Sequence, residues 1–151
     1  MSDPNIRYRT ILLVEGDDRE RFLFADAIRK IDDTIKYYLM EHAHETFQVL
    51  ECAAVIPEVI FLHVNVNMQN GFKFLSMLKQ SATLQHIPVV VLTTSSAADQ
   101  LHKGYQLGAM AVIVKPARFE AFWLEIKRIL SCDLTMGSSP LKPGIAAVTG
   151  L

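Results

Sequence analysis

The chain has 151 residues, half of them hydrophobic, and a formal net charge of −1, which suits one domain able to bury a core. Acidic and basic residues are interspersed, so no basic stripe offers nucleic acid a grip. The apolar runs stop at strand length, well short of the about 20 residues a membrane-spanning helix needs. The opening MSDPNIRYRT has no apolar core of a signal peptide, and Cys52 and Cys132 form no CxxC pair; both features imply a cytoplasmic protein with two reduced thiols.

Residues 1–8 read as an N-terminal extension. TILLVE (10–15) is the first strand, and Asp17 or Asp18 can cap a helix with Phe22, Ala25, Ile28 and Ile31 on its apolar face. KYYLMEH (36–42) alternates more and suits an edge strand; Phe47, Leu50 and Ala54 then recur at helical spacing. EVIFLHV (58–64) is a third strand, and Phe72, Leu75 and Leu78 stripe a helix after Gly71. PVVVLTT (88–94) is the fourth strand, followed by a helix over 96–107 that Gly108 ends. AVIVK (111–115) is the fifth, and Phe119, Trp123, Ile126 and Leu130 mark the last helix. The final DLTMGSSPLKPGIAAVTGL (133–151) shifts to Gly, Pro and Ser and reads as a tail, leaving 9–132 as the domain.

Near-continuous apolar strands are covered on both faces, and strand alternating with helix five times implies a parallel sheet with right-handed crossovers. Functional groups in such folds gather at the carboxyl edge. That edge should carry Glu15, His42, His63, Thr93 and Lys115.

ILLVEGDD, PEVIFLHVNVNMQNGFKFL, IPVVVLTTS and GAMAVIVKP, spaced over about residues 9–131, resemble the receiver domains of two-component response regulators. The likeness is to stand-alone receivers partnered with phytochrome-type sensor kinases. It implies a flavodoxin-like, doubly wound five-stranded parallel sheet, order 2-1-3-4-5, with five helices, and a cytoplasmic, non-enzymatic role in phosphorelay signalling. In that family an aspartate closing the third strand accepts phosphate and shares Mg²⁺ with an acidic pair after the first strand. Here those positions are His63, eight residues before Gly71, and Glu15 with Gly16. The register of R-F-L-F (21–24) makes Gly16 a replacement, so Asp17 is not a displaced acid. Thr93 matches the hydroxyl residue that bonds the phosphoryl group. Lys115 matches the lysine that pairs with it, commonly before a cis proline bond. Val112 stands where the family has a switch aromatic.

Magnesium needs near-octahedral oxygen ligands, and imidazole suits other metals. No cofactor is therefore expected, with Mg²⁺ binding lost or weak. The reading is a pseudo-receiver acting by protein contact, on a sensor histidine kinase or another signalling protein. The alternatives are an active receiver phosphorylated on His63 or Asp17, and a small-ligand binder on the same scaffold. Lys115 is expected to pair with Glu15, or to hold an acidic group of a partner. His63 fits a hydrogen-bonded group in a vestigial pocket, with a pH-sensitive contact as the sharper option. His-x-His within HAHE (42–45) is a weak metal signal. Tyr105, Phe119, Phe122 and Trp123 are core candidates, but the last helix has more apolar surface than one face can bury. The surplus suggests an association surface, for a homodimer or a different protein, through the fourth helix, fifth strand and fifth helix.

Overall fold

The computed structural model describes residues 2–66, 69–94 and 97–134, with backbone alone at 65–66 and 69–70. Its main sheet contains β1 (Thr10–Val14), β2 (Lys36–Met40), β3 (Val59–His63), β6 (Val89–Thr93) and β7 (Ala111–Val114). All pairings are parallel, in the order β2-β1-β3-β6-β7. Counted without a short antiparallel pair, β4 (Asn65–Val66) with β5 (Gln69–Asn70), this is the expected 2-1-3-4-5 order. The helices are α1 (Asp18–Ile31), α2 (Ala43–Glu51), α3 (Gly71–Gln80), α4 (Ala98–Gln106) and α5 (Phe119–Leu130).

Both faces of the sheet are covered, which is why the strands lack polar alternation. Ile11, Leu13, Phe61 and Ile113 pack with Phe24 and Ile28 of α1 and Phe122 and Ile126 of α5. Leu12, Val14, Leu62 and Val91 meet Leu50, Phe72, Leu75 and Leu78 on the other side. Each such side chain stabilises the fold by roughly 1.5–3 kcal/mol relative to exposure. A polar residue on either face would therefore cost more than a typical surface change.

Local chemistry sets the helix ends. The Asp17 side chain accepts from the Glu20 N–H at 3.1 Å, capping α1, and Asp18 and Glu20 in the first turn complement the helix dipole. Phe22, assigned to the apolar face, is instead 65% exposed. The buried residues of α1 are Phe24, Ala25, Ala27, Ile28 and Ile31, so Ala25, Ile28 and Ile31 face inward as expected and Phe22 does not. The second helix stops at Glu51, before Ala53 enters the left-handed region at φ 58°. Ala54 is consequently outside the helix and exposed, contrary to the periodicity. Gly108 takes φ 104° just past α4.

The segment before residue 9 is more than an extension. Ile6 and Tyr8 are buried, the Arg7 N–H donates to the Leu130 carbonyl at 2.8 Å, and the Leu134 N–H donates to the Tyr8 hydroxyl at 2.6 Å. Two apolar side chains separated by one polar residue are too brief a pattern to reveal this. The tail beyond Leu134 lies outside the described residues. Cys52 and Cys132 are both free thiols.

Candidate functional site

The strand order places the carboxyl-edge groups in a row: Glu15 after β1, His63 ending β3, Thr93 ending β6 and Lys115 after β7. The Lys115 N–H donates to the Thr93 carbonyl at 2.8 Å, continuing the ladder and setting those two residues side by side. His42 does not join them. The edge strand ends at Met40, and His42 is the exposed N-cap residue of α2, making no side-chain cap bond. Among the described residues, no three His, Cys, Asp or Glu side chains are grouped to hold a metal, so HAHE forms no such cluster.

Glu15 is 4% exposed. Its Oε1 lies 3.9 Å from His63 Nε2, and its Oε2 accepts from the Asp17 N–H at 3.3 Å. Burial pushes the Glu15 carboxyl above its ordinary value, against the opposing pull of His63 and the Asp17 N–H. Gly16 contributes no side chain. The Asp17 carboxylate is exposed and occupied in capping α1, so it does not replace the missing acid.

Lys115 departs from expectation in its partner. Its ammonium pairs with the Glu20 carboxylate of α1 and lies 5.4 Å from the centre of the Phe122 ring. Glu15 already has His63 and the Asp17 N–H, whereas the capped first turn of α1 leads Glu20 to the β7 end. Described peptide bonds are all trans, Lys115–Pro116 included, in place of the cis bond common in the family. The lysine is aimed by its strand register and by Glu20. Sequence reasoning missed Glu20. The available signal was D-x-x-E at the start of α1, a capping-box spacing that also puts an acid on the sheet edge.

Val112 is buried in β7, and its N–H donates to the Tyr105 hydroxyl at 3.2 Å. Burial raises the Tyr105 phenol, the Val112 bond opposing it. The aromatic set thus divides. Phe122 is core, Trp123 is partly buried on the same face of the sheet, and Tyr105 is partly buried on the opposite one. Phe119 is 40% exposed, and Leu124, not anticipated, is 46% exposed. The α5 stripe that reaches the sheet is Phe122, Ile126, Ile129 and Leu130, and Phe119 and Leu124 fall outside it.

A parallel 2-1-3-4-5 sheet with this edge defines a receiver. Residues 11–127 match the response regulator receiver domain, and the chain belongs to that family. It is 28% identical over 134 residues to the probable methanogenesis regulatory protein FilR2 of Methanothrix harundinacea, covering 86% of each chain. To the response regulator Rcp1 of Synechocystis it is 26% identical over 140 residues, covering 83% of this chain and 95% of that one. The crystal structure of the phosphorylated cyanobacterial phytochrome response regulator RcpA superposes with a TM-score of 0.75 at 26% identity, over 89% of this chain and 99% of the other. The chain is thus a two-component signalling module, of a class that works with histidine kinases and other proteins. Among the described residues, no helix is long and apolar enough to cross a membrane.

Proposed function

We propose that this receiver signals by protein contact and runs no aspartyl-phosphate cycle. The observation that carries this reading is the acceptor position itself, an imidazole whose Nε2 is 3.9 Å from the buried Glu15 carboxylate. Imidazole cannot form an acyl phosphate. The donor set also does not fit Mg²⁺: one carboxylate, a histidine and a glycine replace the oxygen-rich cage that ion requires. Partners would be a sensor histidine kinase or another signalling protein. Phe119 and Leu124 supply exposed apolar surface on α5 for such a contact or for a second copy.

The test is intact mass after incubation with acetyl phosphate or phosphoramidate, with and without Mg²⁺, at neutral or alkaline pH. The expected result is no phosphoryl adduct. A stoichiometric adduct mapped to His63 or Asp17 would establish an active receiver of altered chemistry and end the contact-only reading.

The buried carboxyl gives a second expectation. Because folding raises the Glu15 pKa above 4.5, the protonated form is favoured in the folded state. That contribution is fully present below the unfolded value and is lost as pH rises through the folded one. Glu15→Gln keeps the shape without the titration. Urea unfolding should therefore show the variant gaining on the wild type as pH rises above about 4.5. Parallel stability profiles would mean that Glu15 is solvated more fully than its burial implies.

A further inference from the structure

The two edges of the main sheet are finished differently. At β7 the Lys115 N–H donates to the Thr93 carbonyl, so Ile113 and Lys115 face β6 and the N–H groups of Val112 and Val114 face outward. The Tyr105 hydroxyl of α4 takes the Val112 N–H at 3.2 Å and closes that edge where a further strand would begin. At β2 the Lys36 N–H donates to the Arg9 carbonyl and the Glu15 N–H to the Met40 carbonyl, both at 2.9 Å. Lys36, Tyr38 and Met40 therefore face β1, and the N–H and carbonyl groups of Tyr37 and Leu39 face outward. Among the described residues no strand lies beyond them. KYYLM has no proline and its single charge stands at the first position, so it carries little of what commonly guards an edge.

We propose that β2 is a self-pairing edge: two copies of this chain join β2 to β2, antiparallel, about a twofold axis through Tyr38. The outward groups dictate the register. With Tyr38 on the axis, Tyr37 of one copy stands opposite Leu39 of the other, and each such pair exchanges both backbone bonds. The two Tyr38 side chains meet in the close, non-hydrogen-bonded pair at the centre. Tyr37, Tyr38, Leu39 and Met40 are only partly buried in the single chain, so pairing removes apolar surface as well. Charge fixes the direction. Exposed Lys30 and Lys36 stand at the amino end of the strand, and exposed Glu41 and Glu45 at its carboxyl end. Of the acids at the amino end, Asp32 is buried and held by Arg9, and Asp33 has a partner within its own chain. An antiparallel pair sets each basic end beside the other copy's acidic end, whereas a parallel pair would set like against like. Main-chain bonds supply the affinity and the end charges the selectivity. The exposed Phe119 and Leu124 of α5 are thereby left to a different protein. None of this depends on the chemistry at His63.

The experiment is sedimentation equilibrium of the full chain over a wide dilution series. The wild type should be a dimer that dissociates reversibly on dilution. Leu39→Pro removes an outward N–H at an edge position where proline is tolerated, and should be folded by circular dichroism yet monomeric. Lys36→Glu should weaken the dimer about tenfold, since the twofold axis repeats each end contact, and adding Glu45→Lys should restore it. Leu124→Glu, on α5, should leave the mass unchanged. A wild type that is monomeric at every concentration overturns the proposal, whether the edge then stays open or takes another protein's strand. So does a folded Leu39→Pro that still dimerises, or a dimer lost through Leu124→Glu but not through the β2 variants. Should Leu39→Pro fail to fold, the charge variants decide: no loss with Lys36→Glu, or no recovery with Glu45→Lys, overturns it.

Discussion

Gly71→Ala is expected to destabilise the protein by about 3 kcal/mol or more, beyond the usual cost of overpacking. Gly71 opens α3, and its N–H donates to the Val64 carbonyl at 2.5 Å. A Cβ there would stand 2.5 Å from the Val64 carbonyl oxygen and nearer still to that of His63. Both obstacles are backbone at the end of β3, so relief requires moving the strand that presents His63. The intrinsic helix preference for alanine over glycine, about 1 kcal/mol at most, is too small to offset this. Gly104→Ala provides the contrast. Its Cβ would meet the Val112 Cγ2 at 2.8 Å, a side-chain methyl that a small shift of α4 can clear. Urea unfolding of both variants should rank Gly71→Ala as clearly the worse, with a melting temperature lowered by roughly 6–12 °C. Similar small losses in the two would show that α3 can retreat from β3 at little cost.

The same residues explain what could be read before any coordinates. Four of the five main strands were legible because two covered faces leave no room for polar alternation, so TILLV, VIFLH, VVVLT and AVIV announce themselves. The edge strand was weaker because β2 residues 37–40 are only partly buried. The β4–β5 pair was not legible, since two-residue strands have no period to detect. In α1, Phe22 and Phe24 are chemically alike, and only the packing of the helix on the sheet, where the Phe24 ring meets Phe61 edge-on at 5.1 Å, decides that Phe24 is inside. At the sheet edge, residue types could be placed by strand ends alone, which located Glu15, His63, Thr93 and Lys115. Pairing could not. Whether Lys115 turns to Glu15 or Glu20 depends on the direction in which α1 leaves β1, and that direction is set by the Asp17 cap and the packing of α1 on α5. A contact spanning 95 residues has no local signature.

The second large effect is expected at the opposite end of α1. Asp32 is 2% exposed, and its carboxylate accepts from the Asp3 N–H at 2.6 Å, Arg9 Nη1 at 2.5 Å, the Thr34 N–H at 2.9 Å and Thr34 Oγ1 at 2.6 Å. Burial alone would push this carboxyl up; the hydrogen bonds from Asp3, Thr34 and Arg9 outweigh it and hold the group well below the usual carboxylate range. Asp32→Ala should cost about 3 kcal/mol, because it leaves two backbone N–H groups without their acceptor and takes the carboxylate from the partly exposed Arg9 guanidinium, which keeps Thr34 Oγ1 and the Asp3 carbonyl. The pH dependence follows from the depressed folded value. The stabilisation is present above the unfolded pKa of 3.8 and is lost as pH falls through the folded one. Urea unfolding should thus show a constant gap between wild type and variant from about pH 5 to 8, narrowing below about pH 4. A gap under about 1 kcal/mol, or one that persists undiminished in acid, would mean that water replaces the lost carboxylate and that the network is not a buried one. The consequence reaches the sheet edge. Asp32 ties the end of α1 to the chain before β1, and Asp3 in turn lies 3.6 Å from Lys127 of α5. Loosening that anchor frees the helix whose first turn carries Glu20, so Asp32→Ala should weaken the hold on Lys115 as well as the fold.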